Sequence, residues 1–78
     1  SLVTTFRLYP NPLKKLLFID STVKNFDVNI YNLNGQLVLN SKVQSHNTAI
    51  NCSTLASGVY LLKLKTDKSI QSFKIIKQ

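Results

Sequence analysis

The sequence predicts an all-β protein, an immunoglobulin-like antiparallel β-sandwich of about seven strands. Three observations carry this prediction. Apolar and polar residues alternate with a period of two along most of the chain, and helical spacing is absent. Short runs of this kind recur at roughly ten-residue spacing, which is typical of sandwiches and small barrels. The 78 residues contain only two glycines and no crossover helix, and they suffice for one domain at most.

The first predicted strand, residues 4–8, ends at the tetrapeptide Tyr9-Pro10-Asn11-Pro12. Two prolines remove two backbone donors, and each one pushes the preceding residue into extended geometry. The tetrapeptide therefore cannot lie in the middle of a sheet. We predict a rigid crossing segment, with the ring of Tyr9 packed over the edge of the core.

The second predicted strand, residues 15–20, is apolar on both faces. Leu17 and Ile19 share one face, and Leu16 and Phe18 share the other. One of these faces is expected to enter the core. The other is either covered by a partner or exposed to solvent.

The next two predicted strands, residues 26–33 and 36–43, flank the pair Asn34-Gly35. An Asn-Gly pair between alternating runs is the strongest short-range signal for a β-hairpin, because both positions of the favoured turn need a positive φ. The sequence therefore predicts a hairpin with positive φ at both Asn34 and Gly35.

The remaining sequence predicts three strands, at residues 48–52, 59–66 and 69–77. Ile50 is expected to face inward, with Cys52 able to share its side. Tyr60, Leu62 and Leu64 share one face of the next strand, and Phe73 and Ile75 share one face of the last.

The segment Leu55-x-x-Gly58-x-Tyr60 precedes one of these strands and has two interpretations. It resembles a tyrosine corner, in which the phenol hydroxyl bonds to backbone a few residues upstream. Alternatively, Tyr60 is simply the first inward residue of its strand. The residues leave both interpretations open.

The chain is basic, with ten Lys and Arg against three Asp and no Glu, for a net charge of +7. Such a domain attracts polyanions, but the charges are spread out, so we interpret them mainly as solvated strand faces. Lys63, Lys65 and Lys74 can share one face, with Tyr31 pointing outward. A nucleic-acid function would rest on charge alone, and no nucleic-acid partner is expected.

No catalytic or metal-binding pattern is present in the sequence. Cys52 and His46 are the only candidate nucleophile and base, and nothing orients the imidazole. One His and three scattered Asp do not give a metal-ligand spacing. We therefore predict a protein that is not an enzyme and needs no cofactor. Because the chain begins at Ser1 without a leader, we also expect it to be a piece of a longer protein.

Three short motifs occur along the chain. They are Tyr9-Pro10-Asn11-Pro12, the segment from Leu55 to Tyr60, and Lys74-Ile75-Ile76-Lys77 near the end. Asn34-Gly35 lies between the first two. In this order and spacing, from about Tyr9 to Lys77, the chain resembles the C-terminal sorting domain of proteins exported by the type IX secretion system of Bacteroidetes-type bacteria. It departs from that family at Leu16 and Phe18, where polar residues are more usual.

The resemblance implies that residues 1–78 form a single C-terminal sorting domain fused to an N-terminal cargo. The folded domain would be recognised in the periplasm by the type IX machinery, namely a shuttle, the translocon and a sortase-like peptidase. It would direct the cargo across the outer membrane, and the peptidase would then remove it. The expected location of the cargo is the cell surface or the medium. The alternative is a non-catalytic binding or adhesion module for carbohydrate or cell surfaces. Such a module would require a row of exposed aromatic residues, whereas this chain has no Trp and only three Tyr.

The resemblance also suggests roles for individual residues. The last strand would offer an unpaired edge for β-augmentation by the machinery, with sorting information carried by Lys74, Ile75, Ile76 and Lys77. Alternatively, Phe73 and Ile75 simply complete the core. We expect deletion of residues 74–78 to abolish export while leaving a folded domain. The residues expected to preserve the recognised shape are Tyr9, Pro10, Asn11, Pro12, Asn34, Gly35, Leu55, Gly58 and Tyr60.

Overall fold

The computed structural model describes residues 4–78, so residues 1–3 of the predicted domain lie outside the described part. All regular structure in the described part is β-strand, and the predicted strands are all present, with bounds shifted by one or two residues. The strands are β1 (Phe6–Tyr9), β2 (Leu16–Ser21), β3 (Phe26–Tyr31), β4 (Leu37–Val43), β5 (Asn47–Asn51), β6 (Gly58–Lys65) and β7 (Ile70–Lys77).

The strands form two antiparallel sheets, one with the order β1-β2-β5 and one with the order β4-β3-β6-β7. This arrangement confirms the predicted immunoglobulin-like sandwich. In the constant-type immunoglobulin domain the fourth strand belongs to the sheet of the first and second strands. Here β4 pairs with β3 instead, so the second sheet has four strands and the first has three.

The core lies between the sheets and is filled by alternate residues of each strand, as predicted. Phe6 and Phe26 meet edge to face, with ring centroids 5.2 Å apart. The fully buried side chains include Leu17, Ile19, Val28, Ile30, Leu62, Leu64 and Ile75. Two further fully buried residues, Leu13 and Cys52, lie outside the strands and close the core at one end.

The predicted hairpin between β3 and β4 is present, but its turn differs from the prediction. Only Gly35 has a positive φ, at 83°, and Asn34 does not. The Gly35 N–H donates to the Asn32 carbonyl and the Asn32 N–H donates to the Gln36 carbonyl, each at 3.0 Å. This is a three-residue loop in which the last residue alone is left-handed. The Asn32 side chain favours it, because its Oδ1 accepts from the N–H groups of Asn34 and Gln36.

Tyr9 does not pack over the edge of the core. It is the last residue of β1 and lies opposite Phe18 in β2, so both side chains point to the outer face of the three-stranded sheet. The two rings stack with centroids 5.5 Å apart and an interplanar angle of 21°. The prediction is wrong because Leu8, the preceding residue, takes the inward position.

Candidate functional site

The three sequence motifs meet at one end of the sandwich. Leu13, directly after the first motif, forms a parallel bridge with Lys77 of the last motif. Lys77 lies opposite Gly58, which belongs to the second motif, in the pairing of β6 with β7. Segments that are distant in sequence thus form one row across this end.

Asn11 joins the first motif to the last strand. Its Oδ1 accepts the Ile76 N–H at 3.0 Å, and its Nδ2 donates to the Lys74 carbonyl at 3.1 Å. Neither of the flanking prolines has an N–H, so the backbone there lacks the donors needed to continue a ladder. The Asn11 amide supplies one donor and one acceptor in their place.

Leu13 continues the same contact. Its N–H donates to the Ile76 carbonyl and its carbonyl accepts the Gln78 N–H, each at 2.8 Å. The outer edge of β7 beside Lys74 and Ile76 is therefore largely occupied by the chain itself. The expectation of an unpaired edge is wrong for this half of the strand, because the segment after β1 crosses to the other sheet and covers it.

The four residues of the last motif have different environments. Ile75 is 1% exposed and completes the core, as the alternative interpretation predicts. Lys77 is half-buried. Lys74 and Ile76 are exposed and point to the outer face of the four-stranded sheet, since they alternate with Ile75.

The outer face around Lys74 and Ile76 combines apolar and basic side chains. Leu61 of β6 lies opposite Lys74 and beside Tyr31 of β3. The Lys63 Nζ lies 5.3 Å from the centroid of the Tyr31 ring. We call this surface, formed by Tyr31, Leu61, Lys63, Lys74 and Ile76, the lysine face.

Tyr60 forms the predicted tyrosine corner. Its hydroxyl donates to the Ala56 carbonyl at 2.7 Å, and its ring is also the first inward side chain of β6. The tyrosine-corner interpretation is therefore correct, and Tyr60 is not simply the first inward residue of its strand. Leu55 is buried beside it, and Gly58 has a φ of 153° that a side chain would strain. The second motif thus fixes the loop that leads into β6.

We expect Tyr60→Phe to lower the free energy of unfolding by about 1 kcal/mol, because one hydrogen bond is lost while the packing stays. Urea denaturation of the purified chain measures this. Tyr31→Phe is the matched control, since the Tyr31 hydroxyl has no hydrogen-bond partner within residues 4–78. Equal losses in the two variants would contradict a specific role for the corner.

Cys52 and His46 do not form a catalytic pair. They flank opposite ends of β5, whose five residues span roughly 17 Å. The His46 Nδ1 lies 3.1 Å from the Ser21 carbonyl. Burial raises the pKa of the Cys52 thiol, although the Lys77 charge partly lowers it. The thiol is therefore a weak nucleophile.

Residues 4–78 contain no group of three or more His, Cys, Asp or Glu side chains placed to hold a metal ion. They also contain no helix long and apolar enough to cross a bilayer.

The fold and the joined motifs define a small β-sandwich whose last strand is tied to the segment that follows its first strand. The family model of the secretion system C-terminal sorting domain matches residues 7–78, and the chain belongs to this family. The family consists of sorting signals rather than enzymes. The domain is thus a type IX C-terminal sorting signal, which marks proteins for export across the outer membrane to the cell surface or the medium.

Among solved structures, the chain is similar to PorZ, described as an essential bacterial surface component of the type IX secretion system of Porphyromonas gingivalis. The TM-score is 0.79 at 20% sequence identity, and the match covers 94% of this chain. The chain spans about 11% of the length of the PorZ chain. At this identity the likeness shows the fold. No curated protein matches the sequence.

Proposed function

We propose that the type IX machinery recognises the folded domain through the lysine face, at the end where the motifs meet. The observation that carries this proposal is the division within the last motif. The backbone at Lys74 and Ile76 is held by Asn11 and Leu13, whereas both side chains are exposed. Recognition at this end therefore depends on side chains and on the shape of the domain rather than on β-augmentation.

The course of β1 leaves the lysine face accessible when a cargo is attached at the N-terminal side. The Thr4 carbonyl accepts a hydrogen bond from Gln71, six residues before Lys77 on β7, which corresponds to roughly 20 Å along the strand. The fused cargo would enter at that far end. A shuttle or the translocon then reads the motif end, and a sortase-like peptidase cuts on the cargo side.

The other motif residues act by holding this shape in the proposal. Asn11 fixes the last strand, Gly35 closes the hairpin between β3 and β4, and Tyr60 fixes the loop before β6. Their substitution would impair export through loss of the folded surface.

An export assay tests the proposal. The chain is fused to the C-terminus of a fluorescent protein with a periplasmic signal, in a host with a working type IX apparatus. The double variant Lys74→Glu, Ile76→Asp is expected to lower the fluorescence at the surface and in the medium at least about tenfold, because it reverses the charge and polarity that the machinery meets. The protein would accumulate in the periplasm in a folded form.

The matched control is Lys65→Glu, Ile70→Asp. These residues are paired across the same two strands at the far end of the same outer face, and both are exposed. The control should be exported normally, and an apparatus-deficient strain should export neither protein. Normal export of the Lys74 and Ile76 variant, or equal loss in the control, would refute the lysine face as the recognised surface.

A further inference from the structure

An apolar groove lies on the outer face of the three-stranded sheet, on the side of the sandwich opposite to the lysine face. It has a volume of about 490 Å³. We call it the proline groove, and its lining includes Pro10, Pro12, Lys14, Lys15, Leu16 and Phe18. The function proposed above does not use it.

The large apolar side chains of the groove are Leu16 and Phe18, which are 42% and 37% exposed. They project outward because β2 is apolar on both faces, while Leu17 and Ile19 fill the core. Large apolar side chains that share an exposed concave site are typical of a surface that another molecule covers.

The groove is held in shape before any partner arrives. Tyr9 stacks on Phe18, and its hydroxyl donates to the two carboxylate oxygens of Asp20 at 3.1 and 3.3 Å. Asp20 also accepts from the Asn47 amide at 2.8 Å. Desolvation of the ring and the contact with Asp20 raise the pKa of the Tyr9 phenol. A phenol is protonated at neutral pH even without this shift, so the hydroxyl can donate the bond. A fixed surface loses little entropy on binding.

The charge around the groove indicates the kind of partner. Lys14 and Lys15 line it together with Gln78, and the Arg7 guanidinium lies 5.2 Å from the centroid of the Tyr9 ring. Among residues 4–78, no Asp side chain lines the groove. A second copy of the chain would bring another net charge of +7 and be repelled. Charge complementarity therefore favours an anionic partner.

The shape of the groove favours a polypeptide over a membrane. A membrane-bound surface inserts protruding apolar side chains into lipid. Here Leu16 and Phe18 line a concave site together with two prolines and two lysines. A concave site favours an apolar side chain supplied by the partner over insertion of its own side chains into lipid.

We propose that the proline groove binds an acidic protein segment that inserts an apolar side chain between the prolines and Phe18. Because the groove and the lysine face lie on opposite sheets, both can be occupied at once. A second partner can therefore bind the domain before the first partner dissociates. The proposal does not depend on which surface the export machinery reads.

Fluorescence anisotropy with the purified chain tests this proposal. The probe is a labelled ten-residue peptide rich in Asp and Glu, with Leu-Phe at its centre. A matched peptide has Ser-Ser at the centre, and vesicles of phosphatidylglycerol provide the lipid arm. The Leu-Phe peptide is expected to bind at least about tenfold more tightly than the Ser-Ser peptide.

Substitutions locate the site. Leu16→Ser, Phe18→Ser should weaken binding of the Leu-Phe peptide at least about tenfold. Val38→Ser, Ile70→Ser should leave it unchanged, although these two side chains, which lie outside the lysine face, are 39% and 60% exposed. Amide chemical-shift changes on the unsubstituted chain should centre on residues 14–18, and this readout holds even if the groove variant folds poorly.

Equal affinity for the two peptides would show that binding depends on charge alone and not on an apolar side chain in the groove. That result would overturn the proposal. Binding to vesicles without binding to the Leu-Phe peptide would assign the groove to lipid and also overturn it. Loss of binding in the control variant, shift changes elsewhere, or no binding to any probe would do the same.

Discussion

Deletion of residues 74–78 is expected to unfold the domain. The deletion removes the buried Ile75 and the cross-strand partners of residues 58–61 in β6. It also removes the groups that bond to Asn11 and Leu13. Loss of one buried aliphatic side chain costs about 2–5 kcal/mol, and a domain of this length has a total stability of roughly 4–12 kcal/mol.

Circular dichroism and thiol labelling check this prediction together. Cys52 is fully buried, so it should react slowly in the full chain and rapidly in the truncated one. The sequence alone predicts that the truncated domain stays folded and only loses export, and the structure revises that expectation. A truncated chain with a native spectrum and a protected Cys52 would contradict the revision.

The unfolding also decides how export data should be interpreted. If a fusion that lacks residues 74–78 remains in the periplasm, its sorting domain has lost both its fold and its last motif. The substitutions Lys74→Glu and Ile76→Asp avoid this problem, because both side chains are exposed and the buried Ile75 is retained.

Leu13→Ala is expected to lower the free energy of unfolding by about 2–5 kcal/mol. Leu13 is fully buried, yet it belongs to no strand and lies in the segment between β1 and β2 that bonds to the edge of β7. Its truncation would leave a cavity where the first motif meets the last strand. Urea denaturation measures the loss.

Leu16→Ala is the matched control for Leu13→Ala. The same atoms are removed three positions further along, from a side chain that is 42% exposed. A loss below about 1 kcal/mol is expected there, because surface substitutions have small effects. Similar losses at the two positions would contradict the role of Leu13 in closing the core.

The strands and most of the core could be predicted from the sequence, because alternation with a period of two is a local signal. The inward residues of β6 follow directly from it. The turn at Asn34-Gly35 was only partly predictable. The pair indicates a hairpin, but the side chain of Asn32 favours a three-residue loop, and that contact depends on a residue outside the pair.

The joining of the motifs could not be predicted from the sequence. Asn11 bonds to Lys74 and Ile76, which are 63 and 65 positions further along the chain. No local sequence pattern identifies partners that are so distant. Leu13 was missed for the same reason, since it lies among prolines and lysines without a period. An asparagine between two prolines was the available signal, because it supplies a donor where the backbone has none.

The contact of Asn11 with the last strand makes the signal depend on complete synthesis. Proteins are made from the amino end, so the first motif exists well before the residues that bind it. A polypeptide that ends before Lys74, through early termination or trimming, contains the first two motifs but cannot close the sandwich over Leu13. If the apparatus reads the folded domain, as proposed above, it would reject unfinished proteins without inspecting the cargo, because the fold would be the mark of an intact chain.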